Sequence, residues 1–554
     1  MKYHWKYVFA FFMILWVVVN ILQVVFTEMM SDEAYYSLYG EHPAWGYYDH
    51  PPMVGLMTFV SGWLFGGNMS VRFATVVTQI FTILLVWKLL DEKQPNTHKI
   101  VLFFVIMASM VMFTAYGFVT TPDVPFLFFT ALFLLFYKKF LKLDNWFNTL
   151  MLGLSMTGMI YSKYHAVLVI GFIVLSNLRL LTQYKVWIAA ALALLLLLPH
   201  IGWQFAMDFP SFKYHLSDRS SSFKWIYFLE YIPNQLVVFN PLAFGAVVYI
   251  LVKYKSKDVF ERGLYFLTMG FLAFFWITAF RGHVEPHWTV ACTIPMIVLM
   301  YQNSLHNPKI MRFVKIWMAP TIVLVLIVRI LLVTHLLPQR LDFYGKKERS
   351  MAIQAIAGQL PVAFTGSFQR PSEYRFFTRQ DAFVLSSIHS RQTQFDIWQK
   401  ELKWQGKPVF ICAHVEGKSE KYEVDGYVFE GYPTENFQSV NRLKIEYTLT
   451  RREVCTGDTL EIDFKIYNPT ATVIDFHHPE FPVACKAAYT DKTISLHDGE
   501  LNEDLDVLQP DETLYRKFKT IVPELPAGNY WFALTLKNAV CTAKNSDYVS
   551  IKIL

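Results

Sequence analysis

Runs of about twenty apolar residues recur through the first 340 or so positions and then stop, and each is long enough to cross roughly 30 Å of hydrocarbon as a helix. Candidate spans are 8–27, 71–90, 100–118, 124–141, 148–162, 165–181, 186–205, 232–252, 263–280, 288–302 and 314–336, eleven in all. The stretch 53–65 is apolar but short, and reads as a helix lying at the interface. Between 148 and 181 only "SKYH" divides two spans, so the count is most open there. From 351 to about 435, "PVAFTG", "AFVLSS" and "KPVFICAH" alternate with the helical stretch "TQFDIWQKEL", which predicts a small α/β unit. From about 441 the chain becomes short alternating strands, "RLKIEYTLT", "TLEIDFKIYNP", "YRKFKTIV", "NYWFALTLK" and "YVSIKIL", with turns rich in Gly, Asn, Asp and Pro. That pattern predicts a β-sandwich. The expected divisions are therefore a transmembrane region 1–337, an α/β region 338–440 and a sandwich 441–554.

Composition agrees with this organisation. The 554 residues are 54% hydrophobic and mean hydropathy is +0.30, too apolar for an ordinary soluble protein. The first residues look like a signal peptide, but the apolar run is too long and no small-residue cleavage site follows, so it reads as a retained first helix. The net charge of +6 carries no nucleic-acid reading, because most basic residues sit in short loops between apolar runs. Lys/Arg bias in such loops sets orientation. With the N-terminus inside, seventeen basic residues fall on the inner side and six on the outer side: Arg72, Lys163, Lys213, Arg219, Lys224 and Arg281. An odd number of spans places everything after about Pro338 outside.

The polar motifs then gather on the outer face: "SDEAYYSLYGEHPAWGYYDHPP" (31–52), "TTPDVP" (120–125), "SKYHA" (162–166), the segment 207–231 and "RGHVEPHW" (281–288). A carboxylate at an interface, such as Asp32 or Glu33, serves as a general base or holds a divalent cation. Both acids open a short helix whose other face is aromatic, Tyr36 included. Asp123 stands at the outer start of another span, where it also suits the positive end of the helix. Lys163, flanked by apolar sequence, is expensive without a counter-charge and reads as a cation awaiting a phosphate, with Tyr164 and His165 as hydrogen-bond partners. Arg281 suits a planar phosphate fork. His283, Glu285 and His287 have a spacing that suggests zinc, but Pro286 argues against the helix such a site would need, and they are carried as substrate-binding candidates. Trp45, Tyr47 and Tyr48 are placed to stack on sugar faces, or to form an ordinary aromatic belt. Lys213, His215, Asp218 and Arg219 add polar groups, Arg219 being retained as a candidate ligand. The whole suits an amphiphilic substrate with its phosphate at the interface.

The stretches "DEAYYSLYGEHPAWGYYDHPPMVGLM", "LFGGNMSVRFATVV", "TPDVPFLFF", "YSKYHAVL" and "RGHVEPHW", in that order, resemble the dolichyl-phosphate-mannose protein mannosyltransferase-like family of bacterial membrane glycosyltransferases, relatives of the aminoarabinose transferase of lipid A. The resemblance covers roughly residues 30 to 300. It implies a C-type membrane glycosyltransferase fold in the bacterial inner membrane, with sugar transferred outside the cytoplasm from a polyprenyl-phosphate donor to a protein or lipid acceptor, usually with inversion. It maps the catalytic base onto Asp32 with Glu33 beside it, the second acid onto Asp123, and basic positions onto Lys163 and Arg281. Where the lipid A branch has a Glu-Lys pair before Pro-Pro, this chain has Asp49 and His50, so that phosphate contact changes character. A divalent metal near Asp32 and Asp123 is left open, and no organic cofactor is expected.

A transporter or flippase for a lipid-linked sugar is the rival reading. It fits less well because the polar motifs sit at one surface and no internal repeat is visible. Four of the five cysteines (Cys412, Cys455, Cys485, Cys541) fall in the outer region, where disulfides are permitted. Three pairings are open, and the region serves either acceptor or partner binding or stabilisation.

Overall fold

The computed structural model describes residues 4–215, 224–336, 343–491 and 493–554. Contacts divide the chain into two units, Met1–Tyr344 and Gly345–Leu554.

The first unit is all helical. In order it contains α1 (His4–Phe26), α2 (Ser31–Glu41), α3 (Met53–Leu64), α4 (Met69–Leu90), α5 (Thr97–Ser109), α6 (Val111–Ala115), α7 (Asp123–Lys142), α8 (Trp146–Ser162), α9 (Ala166–Ser176), α10 (Tyr184–Ala206), α11 (Pro210–Lys213), α12 (Trp225–Phe239), α13 (Pro241–Lys253), α14 (Val259–Thr278), α15 (Thr293–His306), α16 (Pro308–Phe313) and α17 (Ala319–Val333). Among the described residues, six helical stretches are long and apolar enough to cross a bilayer: α1, α4, α7, α10, α14 and the continuous Pro308–Val333. The pair α12 and α13, bent by 104°, makes a seventh if taken as one span.

The expected count of eleven is thus not reached among the described residues, and the backbone shows why. Met110 leaves helical geometry (φ −79°, ψ 102°) and splits the expected span 100–118 into α5 and α6. Asn240 (φ 78°) precedes Pro241, whose ring disfavours helical geometry in the residue before it, so the expected span 232–252 is a bend. Lys163 is extended (φ −159°, ψ 137°), which confirms "SKYH" as a divider and leaves α9 with eleven residues. Helix α3 is short as expected, twelve residues, or about 18 Å. One face buries Val54, Met57, Thr58 and Ser61, while Leu56, Phe59 and Trp63 are exposed.

Close packing positions the polar end of this unit. Gly40 of α2 lies against α3 so tightly that a Cβ would fall 2.6 Å from the Phe59 nitrogen. A polar ladder ties α1, α4 and α17 together: Trp16 Nε1 and Asn20 Nδ2 donate to Gln79 Oε1 at 2.7 and 2.9 Å, and the Arg329 guanidinium donates to Asn20 Oδ1. Such bonds satisfy groups that hydrocarbon cannot.

The second unit opens with α18 (Lys346–Ala357), β1 (Val362–Thr365), α19 (Gln369–Thr378), β2 (Ala382–Leu385), α20 (Gln394–Trp398), β3 (Val409–Cys412), β4 (Glu420–Val424) and β5 (Tyr427–Thr434). The sheet order β2-β1-β3-β5-β4 joins parallel pairs at β1–β2 and β1–β3 to antiparallel ones at β3–β5 and β4–β5. This is the expected α/β region. Then come β6 (Lys444–Leu449), β7 (Glu453–Val454), β8 (Thr459–Tyr467), β9 (Ile474–Asp475), β10 (Ala484–Thr490), β11 (Ile494–His497), β12 (Gly499–Leu501), β13 (Val507–Leu508), β14 (Thr513–Ile521), β15 (Gly528–Lys537) and β16 (Val549–Ile553). They form sheets β11-β10-β15-β16-β7 and β12-β14-β8-β6, the expected sandwich. Alternation does the sorting: Leu460, Ile462, Phe464 and Ile466 of β8 are buried while the residues between them face out. The disulfides that the outer region would permit are not formed, and all five cysteines are thiols.

Candidate active site

Asp32 and Glu33 lie side by side in the first turn of α2, where carboxylates favour the helix start, and they separate completely. Glu33 is fully buried. Arg72, equally buried near the start of α4, grips it with Nε to Oε1 at 2.8 Å and Nη2 to Oε2 at 2.5 Å. The Thr120 amide adds a bond to Oε1 at 2.8 Å, and the Met30 amide one to Oε2 at 3.3 Å. The guanidinium also donates to the carbonyls of Val24, Thr27 and Glu28. Glu33 was expected beside the reacting atoms. With both oxygens taken by the scaffold, it instead fixes α2 to α1, α4 and the 120s loop. Asp32, next to it, is exposed.

The second acid is held differently. Asp123 is buried at the head of α7. Lys163, which caps α8, donates to Oδ1 at 2.6 Å, and the Tyr116 hydroxyl donates to Oδ2 at 3.2 Å. His287 Nε2 lies 3.9 Å from Oδ2. The expected lone cation is therefore already compensated, which is why an ammonium 6% exposed is tolerated there. Its two remaining protons have no acceptor among the described residues.

The "DHPP" pair is a hub. Tyr39 donates to Asp49 Oδ1 at 2.6 Å, His215 Nε2 sits 3.2 Å from the Asp49 carbonyl, and His50 Nε2 lies 3.1 Å from the Tyr36 hydroxyl. Tyr36 draws the two groups together. Burial first, then Asp32, Asp49 and Asp123 in that order, hold its phenol well above the usual range, so it is a neutral donor among three carboxylates. His287 responds electrostatically to Lys163, Asp123, Glu285 and His50. Segments 31–52, 116–123, 163 and 283–287 therefore meet at one pole of the helical unit, as the sequence implied.

Other expected ligands fall elsewhere. The Tyr164 hydroxyl is engaged by His200 at 3.1 Å and Gln204 at 3.0 Å, so it supports structure rather than a phosphate. His165 packs its ring between Phe275 and Trp288 at 5.1 and 5.2 Å. Tyr48 is buried against Tyr214 and Tyr47 stacks on Tyr39 at 3.9 Å, which removes both from sugar stacking; Trp45 is exposed. His283 and Glu285 face each other at 3.8 Å on the rim. Arg281 is exposed and makes no ion pair among the described residues. Arg219 lies outside the described residues. Two residues were missed: Arg72, counted only as a loop charge, and Tyr116, hidden inside an expected span.

The metal expectation does not fit the donor set. Asp123 already faces an ammonium and a phenol, and among the described residues no three His, Cys, Asp or Glu side chains group at ligand spacing.

His287 gives this pole a pH signature. Burial, with Lys163 second, pushes its imidazole down to about 4, against about 6.5 in the unfolded chain. Between those values the unfolded chain binds more protons, so stability falls as pH drops from about 6.5 towards 4. Thermal unfolding across that window will show His287→Gln with the flatter pH dependence. Parallel curves would mean that the ring is not held neutral.

Residues 49–203 match the family model described as dolichyl-phosphate-mannose-protein mannosyltransferase. No curated protein matches the sequence. Among solved structures, ArnT from Cupriavidus metallidurans bound to undecaprenyl phosphate aligns with a TM-score of 0.56 at 13% identity, covering 78% of this chain and 98% of that one. Arabinosyltransferase EmbB from Mycobacterium smegmatis aligns with a TM-score of 0.39 at 10% identity, covering 96% of this chain and 64% of that one. The family match and the ArnT fold bear out the resemblance read from the sequence.

Proposed function

We propose that the chain is an inverting membrane glycosyltransferase that takes a sugar from a polyprenyl-phosphate donor and gives it to a protein or lipid acceptor. In this reading it works in a bacterial inner membrane, with its N-terminus in the cytoplasm and the polar pole and the Gly345–Leu554 unit outside. The observation that carries it is the meeting of Asp32, Tyr36, His50, Asp123, Lys163 and His287, from four separate stretches of chain, at one pole of a fold shared with ArnT. That ArnT binds undecaprenyl phosphate, which supports a lipid phosphate as the leaving group here.

Asp32, the exposed acid, takes the proton from an acceptor hydroxyl or amine as that atom bonds to the anomeric carbon. The bond from that carbon to the phosphate oxygen breaks, and the polyprenyl phosphate leaves with the electron pair. Lys163, oriented by Asp123, aims its two spare protons at this developing charge, the kind of preorganised electrostatics that dominates group transfer. Tyr36, kept neutral, adds a donor between the acids.

The test incubates the purified protein in lipid nanodiscs with a panel of undecaprenyl-phosphate sugars and follows release of undecaprenyl phosphate. Release is expected with at least one donor. No release with any donor, together with movement of intact donor across the bilayer when the protein is placed in sealed proteoliposomes, would overturn the proposal in favour of a flippase. With an accepted donor, Lys163→Gln lowers turnover by roughly 10²-fold or more; unchanged turnover would remove Lys163 from the reaction.

A further inference from the structure

One charge inside the spanning region lacks a counter-charge. Arg329 lies on α17, within the apolar stretch Pro308–Val333, four residues before the last and so about 6 Å short of the helix end. Its guanidinium donates to Asn20 Oδ1 of α1, and its central carbon stands 4.7 Å from the centre of the Phe118 ring. Gln23 Nε2 donates to the Arg329 carbonyl at 3.2 Å, which ties the same turn of α17 to α1. The Nε atom is buried without an acceptor. A guanidinium carries five N–H groups, and among the described residues only the bond to Asn20 uses one.

The elements around it supply no acid. Helices α1, α4 and α17 and the segment 111–122 contain no Asp or Glu, and Glu33, at the same end of α1, has both oxygens taken by Arg72. A cation at membrane depth without a partner is costly and marks a functional position. Arginines near a helix end ordinarily reach up to the headgroups, whereas this one is turned towards α1 and held there. No residue of α17 is buried, so the seam between α1 and α17 opens on lipid. The anion within reach of that seam is a lipid phosphate, whose oxygens match the planar fork of a guanidinium.

We infer that the α1–α17 seam binds the phosphate of a membrane lipid through Arg329, at a site distinct from the Asp123–Lys163 pair. The segment 116–118 stands between the two, Tyr116 bonding Asp123 while Phe118 meets Arg329. A glycerophospholipid and a polyprenyl phosphate offer the same group, and the site does not depend on the transfer reaction.

The test titrates the full-length protein, stripped of lipid in detergent, with short-chain phosphatidylglycerol, with undecaprenyl phosphate and with diacylglycerol as a phosphate-free control, reading thermal stabilisation. A saturable rise is expected with phosphatidylglycerol and none with diacylglycerol. Its apparent affinity falls roughly tenfold or more in Arg329→Gln, whose amide still donates to Asn20, and falls by less in Arg329→Lys, which keeps the charge but loses the fork. Lys163→Gln binds as the parent does. A response to undecaprenyl phosphate alone that weakens in Arg329→Gln identifies the carrier as the occupant. Equal stabilisation by diacylglycerol, no response to either phosphate lipid, parent affinity in either Arg329 variant, or loss of the response in Lys163→Gln overturns the assignment.

Discussion

Asp32→Asn leaves the protein folded and lowers sugar transfer by roughly 10²–10⁴-fold, the usual contribution of a positioned general base. The substitution keeps size and hydrogen-bonding shape but removes the site that accepts the acceptor's proton. Asp32 is exposed at the head of α2, so the change opens no buried cavity. The measurement is release of undecaprenyl phosphate from an accepted donor, alongside thermal unfolding of the same preparation. Full activity in a folded variant would exclude Asp32 as the base.

One residue on, the expected effect is of the opposite kind. Glu33→Gln strands the Arg72 guanidinium, which has no exposed surface, without its anion. Breaking a buried pair by removing one partner costs about 3–5 kcal/mol, a large part of the roughly 5–15 kcal/mol that holds a typical domain. A marked drop in unfolding temperature and in folded yield should follow, while Asp32→Asn in the same assay stays near wild type. If Glu33→Gln melts with the parent, the carbonyls of Val24, Thr27 and Glu28 suffice for Arg72, and the carboxylate is released for other work.

The membrane core and the strand-rich region were legible because hydrophobic period and run length report burial directly. The meeting of Asp32, Asp123, Lys163 and His287 was legible too, because alternating sidedness puts every second loop at the same pole. What could not be read was rotation and pairing. Nothing in "SDEAYY" says which of two adjacent acids turns inwards, since that depends on Arg72 approaching from 39 residues away. Lys163 looked unpaired because its partner is 40 residues earlier. The expected eleven spans are not confirmed, for another reason. Hydropathy averages composition over a window, whereas Met110 and Asn240 break the backbone at single residues that change a twenty-residue average little. Tyr47 and Tyr48 looked like sugar platforms because exposure is not encoded in residue type.

Consecutive helical residues point about 100° apart, so the peptide link between positions 32 and 33 works as a pivot with one arm bolted down. The clamped arm is anchored to three carbonyls of the preceding helix end and to a backbone amide from the 120s. The other arm thereby takes its bearing from its neighbour's anchor. Precision at the reacting centre is borrowed from the architecture: whatever loosens the anchor detunes the chemistry before any substrate contact is touched.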